Sequence, residues 1–126
     1  MANKKSVDEK EEFEKWFIQA EIDFRASRNS LKSGDYGSSV FWCQQAVEKG
    51  LKALMIKEGK ELVRVHDLVR LGKKVNLPEK FFDVSSKLSV LYTDARYPMF
   101  REFEEGEVDS FIKFTEEVLE WIKEKI

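Results

Sequence analysis

The chain has 126 residues, which is the size of one ordinary domain and is long enough to bury a real core. Hydrophobic residues make up 42% of the sequence, with ten Phe and three Trp, and this excludes an intrinsically disordered chain. The formal net charge is only -2, so the strongly basic balance of a protein dominated by attraction to nucleic acid is absent, and any such binding would need a local patch.

Apolar residues at helical spacing predict two long helices in the first half of the chain. The face of the first helix consists of Phe13, Phe17, Ala20, Phe24 and Leu31. The segment KSGDYG interrupts that pattern, and Gly34 is placed to end the helix. The second helix is predicted over about residues 38–57, and Gly59 stops it. Its central apolar stripe consists of Val40, Cys43, Val47 and Leu54.

Three further helices are predicted in the second half. A short helix over about residues 66–75 carries Leu68, Leu71 and Val75, and Pro78 then lies near the first turn of the next helix. The fourth helix has the cleanest spacing, and its apolar residues are Phe81, Val84, Leu88, Leu91 and Ala95. Pro98 cannot continue that helix. The last helix is predicted over about residues 108–123. Its buried face consists of Val108, Phe111, Val118 and Ile122, and Phe114 and Trp121 widen that face.

No segment alternates convincingly with period two, so the sequence predicts an all-α fold. We expect an up-and-down helical bundle of four long helices plus one short helix, forming a single domain over residues 1–126. Four aromatic residues are candidates to remain at the surface, and a homodimer interface is the favoured use of such a patch. These residues are Trp16, Phe41, Trp42 and Trp121.

Cysteine usage and the absence of apolar runs predict the compartment. Cys43 is the only cysteine, so no intramolecular disulfide can form, as expected in a reducing compartment. The first residues, MANKKSVDEKEEFEKW, contain no apolar core segment of a signal peptide. No apolar run approaches the length that spans a membrane. We therefore expect a soluble cytoplasmic protein without membrane association.

The sequence argues against the common metal and nucleotide motifs. With one histidine and one cysteine, the Cys/His sets of zinc sites cannot be assembled within one chain, and we expect no metal and no cofactor. Neither a Walker A loop nor G-x-G-x-x-G nor G-x-S-x-G is present. An acidic group suggests either a cation site or the start of a helix, and the second interpretation is favoured because acids gather at helix starts. Its members are Glu102, Glu104, Glu105, Glu107 and Asp109.

Polar residues on the second helix form one candidate site. Gln45, Lys49 and Lys52 lie at i, i+4 and i+7, nearly opposite the apolar stripe, with Gln44 and Glu48 flanking them. Two ammonium groups and an amide on one face can hold a phosphate and hydrogen-bond a sugar or a base edge. They can equally form a solvated face with Glu48, and spacing alone favours that alternative.

Two further stretches carry polar side chains at helix ends. Asp67 is well placed to cap the short third helix, and His66 can be simply a hydrogen-bonded residue at the same junction. Arg96 is expected in the last turn of the fourth helix, where a cation suits the negative end of the helix dipole. A guanidinium beside the phenol of Tyr97 can also clamp a phosphate next to a stacking surface. Spacing leaves both interpretations open.

Three blocks in order give the sequence a family resemblance. They are QQA-x-E-K-x-x-K-A-L at residues 44–54, H-D-L at residues 66–68 and Y-x-x-x-R-Y-P at residues 92–98. The upstream segment AEIDFRAS adds to the match. Together they resemble the HEPN domain (higher eukaryotes and prokaryotes nucleotide-binding), and the likeness to small stand-alone prokaryotic members covers nearly the whole chain.

The resemblance implies a helical bundle that often dimerises and a role around nucleotides or RNA. It also implies a minimal nucleotidyltransferase as partner in a toxin–antitoxin-like pair. Several branches of the family are ribonucleases that use an Arg and a His with four to six residues between them, but the required positions here are Gly59, Lys60 and Glu61. We therefore expect no ribonuclease activity of the usual kind and assign no catalytic residue.

The resemblance favours one polar site between the second, third and fourth helices, in which Lys52 and Arg96 hold phosphate and Tyr92 or Tyr97 stacks on a base. Its expected ligand-binding residues are Lys49, Lys52, His66, Asp67, Tyr92, Arg96 and Tyr97. Two other functions stay open: a non-catalytic helical module for dimerisation or protein interaction, and a divergent ribonuclease centred on His66. The sequence identifies neither the ligand nor the partner.

Overall fold

The structure is a computed structural model that describes residues 10–95 and 102–126. The described residues form an all-α fold of four long helices and one short helix, as predicted. The helices are α1 (Glu12–Lys32), α2 (Tyr36–Lys57), α3 (Leu68–Lys74), α4 (Phe82–Ala95) and α5 (Glu105–Lys125). A 3-10 turn at Glu79–Phe81 leads directly into α4.

Helix α2 lies at the centre of the bundle and packs against each of the other four helices. Most of its length is buried, and Val40, Cys43 and Leu54 have no solvent exposure. Gly50 permits the closest approach of α5, because a Cβ atom at that position would lie 2.8 Å from Leu119 Cδ2. Side chains on α2 are therefore positioned by contacts from every side.

The turn between α1 and α2 follows the local chemistry of the sequence. Gly34 has a positive φ of 79°, a backbone conformation that L side chains rarely adopt, so glycine suits the end of α1. The Ser39 hydroxyl donates a 2.7 Å hydrogen bond to the Ser27 carbonyl and ties the two helices together just beyond the turn. The second helix begins at Tyr36, slightly before the predicted start.

Helix α5 begins three residues earlier than the apolar pattern predicts. Glu104 occupies the N-cap position, and Glu105 and Glu107 lie in the first turn, where the free backbone amides favour negative charge. The expectation that these acids mark a helix start is confirmed. Among the described residues no group of three or more His, Cys, Asp or Glu side chains is arranged to hold a metal ion.

The third helix is shorter than predicted and begins at Leu68. His66 and Asp67 therefore precede it, at the end of a segment without regular secondary structure that starts after Gly59. The predicted apolar residues Leu68, Leu71 and Val75 are all buried. The 3-10 turn and α4 follow, with Pro78 before the turn as expected.

Within the described part of the chain, no helix is both long enough and apolar enough to cross a membrane.

Candidate functional site

A row of buried polar side chains runs along α2. Gln44, Glu48 and Lys52 lie at i, i+4 and i+8, so they stack on one line of the helix. Their exposed fractions are 0%, 4% and 7%. Ionisable side chains are rarely this buried unless they are paired. This differs from the solvated face that spacing alone favours, and the reason is that neighbouring segments cover the row.

The Glu48 carboxylate is the centre of this row. Its Oε1 atom accepts a 3.1 Å hydrogen bond from Gln44 Nε2 and lies 2.8 Å from His66 Nδ1. Its Oε2 atom accepts a 2.9 Å bond from Lys52 Nζ. Burial alone would raise the pKa of the Glu48 carboxyl, but the three donors outweigh burial and hold that pKa below its usual value. The group is therefore a carboxylate at neutral pH.

His66 is held from two sides, although its ring lies at the surface. Gln44 Nε2 donates to the His66 carbonyl at 3.1 Å, and Glu48 binds Nδ1, while 59% of the side chain remains exposed. A carboxylate can only accept, so Nδ1 carries a hydrogen, and Nε2 of the neutral ring is left as an acceptor. Among residues 10–95 and 102–126, no group bonds to Nε2. The site therefore presents one oriented ring nitrogen to solvent, which accepts a hydrogen bond when the ring is neutral.

Aromatic rings lie beside this imidazole. The ring centroids of His66 and Tyr92 are 5.1 Å apart with an interplanar angle of 35°. The Tyr92 ring in turn stacks on Phe41, with centroids 6.1 Å apart and an angle of 22°. We call Phe41, His66 and Tyr92 the aromatic platform. The three rings come from the second helix, the segment before the third helix and the fourth helix.

The two lysines of the predicted site already have internal counter-charges. Lys49 Nζ lies 2.5 Å from Asp23 Oδ2, and Asp23 is 2% exposed and also accepts a bond from Gln19. Lys52 is bonded to Glu48. An anionic ligand at either ammonium group would have to compete with a carboxylate that the fold places there.

Asp67 acts as the cap that its position predicts. Its Oδ1 atom accepts hydrogen bonds from the backbone N–H groups of Val69 at 3.0 Å and Arg70 at 3.3 Å. The backbone N–H of Leu68 donates to Ser89 Oγ at 2.9 Å, which anchors the start of α3 to α4. The Asp67 side chain is exposed. It directly follows the platform residue His66 in the chain.

Arg96 and Tyr97, together with Pro98, lie outside the described residues. The predicted phosphate clamp therefore stays a prediction. Tyr92 is four residues before Arg96, and it is the only member of the Y-x-x-x-R-Y-P block whose side chain is described.

Sequence reasoning named Gln44 and Glu48 only as neighbours of the candidate stripe and so missed the centre of the network. The signal that identifies them is the i, i+4, i+8 run to Lys52 directly beside an apolar stripe. That line faces the interior because α2 is central. No buried side-chain nitrogen or oxygen of the described residues lacks a partner, so the network is fully satisfied.

Comparisons with known proteins match this chain to a protein family. The sequence model of the HEPN domain matches residues 13–126. The crystal structure of TT1696 from Thermus thermophilus is similar, with 26% sequence identity and a TM-score of 0.80 over 90% of this chain and 98% of TT1696. The crystal structure of ST0689, an archaeal HEPN homologue, is similar with 29% identity and a TM-score of 0.77, covering 90% of this chain and 97% of ST0689. None of the curated proteins matches this sequence.

Proposed function

The chain belongs to the HEPN family, and on that premise we propose that it binds a nucleotide or RNA and acts with a minimal nucleotidyltransferase partner in a toxin–antitoxin-like module. One observation supports the ligand-binding part of the proposal, whereas the partner rests on the family alone. The buried Glu48 carboxylate holds His66 at 2.8 Å, so that an exposed imidazole lies beside the ring of Tyr92, and no described residue bonds to its Nε2 atom.

This arrangement suits the chemistry of a nucleotide. An oriented Nε2 acceptor can bind a ribose hydroxyl or an exocyclic amine of a base. The half-buried ring of Tyr92, backed by Phe41, offers a face for a base, and stacking of one base on an aromatic side chain contributes about 1–3 kcal/mol. Fixing the imidazole in advance also reduces the entropy lost when a ligand binds.

The proposal concerns binding rather than cleavage. Gly59, Lys60 and Glu61 occupy the positions at which the family's ribonucleases carry Arg. The Lys60 ammonium lies 3.0 Å from the Glu58 carboxylate and also donates to the Lys74 carbonyl, so both contacts are made within the protein. Phosphate contact by Lys52, Lys49 or Arg96 belongs to the proposal, with the first two in competition with their internal carboxylates.

A second candidate function is a helical interaction module without a small ligand. The observation that favours it is the pairing of Lys49 with Asp23 and of Lys52 with Glu48, which gives both cations a structural role. In either case a homodimer is proposed, with half-buried Phe41 and Trp42 as candidates for the contact, and the cytoplasm is the proposed compartment.

The experiment that separates these functions is calorimetric titration of the wild-type chain and a His66→Asn variant with nucleoside triphosphates and short RNAs. The Asn amide nitrogen can still donate to Glu48, whereas the Nε2 acceptor is lost. We expect wild-type binding and at least a tenfold weaker affinity in the variant, since one hydrogen bond is worth about 1.4 kcal/mol. Equal binding by both proteins contradicts the role of Nε2.

The partner is tested by co-purification with a minimal nucleotidyltransferase encoded beside this chain. Under the proposal the complex forms and the titration detects a ligand. Complex formation with no binding of nucleotide or RNA, by the chain alone or by the complex, would instead support the interaction module. Thermal unfolding of His66→Asn serves as the control that the variant is folded.

A further inference from the structure

We propose that the exposed face of α3 binds successive phosphates of a single-stranded RNA whose base stacks on the aromatic platform. This inference rests on the proposed function and specifies its ligand as a polynucleotide strand rather than a free nucleotide. Arg70, Lys73 and Lys74, which we call the α3 cationic face, are the residues that would contact the strand.

The spacing of these three cations places them together. They lie at i, i+3 and i+4 of a helix, so their side chains share one face. Leu68 and Leu71 occupy the opposite face and are fully buried against the bundle. All three cations are exposed, and they are close enough to one another to contact neighbouring phosphates of one strand.

The charges of this face are not used inside the protein. Among residues 10–95 and 102–126, none of Arg70, Lys73 and Lys74 forms a salt bridge, in contrast to Lys49 and Lys52. Lys49 and Lys52, two of the cations that the sequence suggested for phosphate, are therefore neutralised by carboxylates of the fold, whereas these three have no such counter-charge among the described residues. A strand of phosphates is attracted most strongly by such unpaired, solvated cations.

The helix dipole explains only part of this pattern. Lys73 and Lys74 lie in the last turn of α3, where a cation complements the negative end of the helix. Arg70 lies in the first turn, where the dipole disfavours positive charge, and no acidic residue is present in that turn. The position of Arg70 is therefore not one that the dipole of α3 favours for a cation.

The cationic face and the aromatic platform are adjacent. His66 lies two residues before Leu68, the first residue of α3, and the Leu68 N–H bonds to Ser89 Oγ on α4. Ser89 and Tyr92 are three residues apart and neighbours on one face of α4. Since a helix of seven residues is about 10 Å long, all three cations lie within a few nucleotides of the platform. Proteins that bind single-stranded nucleic acid commonly combine aromatic side chains that stack on bases with nearby cationic side chains that contact phosphates.

The test measures binding of an unstructured RNA about ten nucleotides long and of ATP as a function of salt concentration. The variant combines Arg70→Gln, Lys73→Gln and Lys74→Gln. The control combines Lys15→Gln, Lys113→Gln and Lys123→Gln, so it loses the same three positive charges as the α3 variant. Lys15 lies on α1, and Lys113 and Lys123 lie on α5, away from α3.

We expect the wild type to bind the RNA more tightly than ATP. Loss of three phosphate contacts should lower the slope of log affinity against log salt by about 2 and weaken RNA binding about 100-fold at about 0.1 M salt. Binding of ATP should change little, and the control variant should stay close to the wild type. Unchanged RNA affinity and salt slope in the α3 variant would overturn the inference.

A second variant guards against loss of folding. Arg70→Glu reverses the charge but places an acid in the first turn of α3, which favours the helix. It should therefore keep or raise the melting temperature while weakening RNA binding, and normal RNA binding by this variant would also overturn the inference. If ATP binds and the RNA binds no more tightly, this inference fails and the proposed function stands. If neither ligand binds, both fail.

Discussion

Replacing Glu48 with Gln removes the centre of the buried network without changing its shape. The carboxylate accepts bonds from Gln44, Lys52 and His66, and both it and the Lys52 side chain are less than one tenth exposed. In the variant the Lys52 ammonium keeps its charge but loses its counter-charge. The new amide nitrogen also replaces an oxygen that accepts from donor groups of the network, so it faces a donor instead of an acceptor.

The expected cost follows from that burial. Removing one partner of a buried ion pair destabilises a protein by about 3–5 kcal/mol, because the remaining charge is left uncompensated. For a chain of this size such a loss lowers the melting temperature by roughly 10 to 20 °C. Urea unfolding followed by circular dichroism measures the free energy, and thermal unfolding gives an independent value.

Two variants complete the experiment. Glu116→Gln, at an exposed position of α5, should change the free energy of unfolding by no more than about 0.5 kcal/mol. Adding Lys52→Met to Glu48→Gln removes the orphaned charge and should recover part of the lost stability. A Glu48→Gln protein within about 1 kcal/mol of the wild type would refute the reasoning that this carboxylate stabilises a buried cation.

Three further predictions follow from local geometry. Because the folded-state pKa of Glu48 is lowered, its contribution to stability is present above the unfolded pKa and is lost as pH falls through the folded pKa. The free energy of unfolding, measured in urea across acidic pH, should therefore decline as pH falls, and Glu48→Gln should reduce that decline. Identical pH profiles of the two proteins would contradict this. Gly50→Val should cost about 1–3 kcal/mol because a Cβ meets Leu119, whereas Gly37→Ala, which faces open space in α2, should be neutral or stabilising in the same assay. Burial, partly offset by hydrogen bonds to neighbouring hydroxyls, raises the pKa of the Cys43 thiol to about 11. Labelling with a thiol reagent at neutral pH should therefore be slow in the native protein and fast in urea. Rapid labelling of the native protein would count against that burial.

The helices were predictable because apolar spacing reports directly on which face of each helix is buried. Phe17, Val47 and Leu88 all lie in the core, at positions chosen from periodicity alone. Boundaries were less accurate where polar residues begin a helix. Periodicity marks the first buried residue of α5, Val108, but the helix itself begins at Glu105 through its acidic first turn.

The candidate site was predictable only where its chemistry is local. The capping role of Asp67 follows from its place before an apolar run, and the pairing of Glu48 with Lys52 follows from i, i+4 spacing. The burial of that pair does not follow, because it depends on how the rest of the chain packs against α2. Trp16 of α1 lies against Lys52, and a segment 18 residues away in sequence brings His66 onto Glu48. Contacts of that kind require the folded arrangement.

The central claim is that Glu48 orients the exposed His66 so that Nε2 is available to a ligand. Because the chain has one histidine, ¹⁵N spectroscopy of the histidine-labelled protein reports on that ring alone. At about pH 8, where an imidazole is mostly neutral, we predict the tautomer with hydrogen on Nδ1 and a shift of the Nε2 signal when nucleotide or RNA is added. Hydrogen on Nε2 in the free protein, or an Nε2 signal that no nucleotide or RNA moves, would contradict the account.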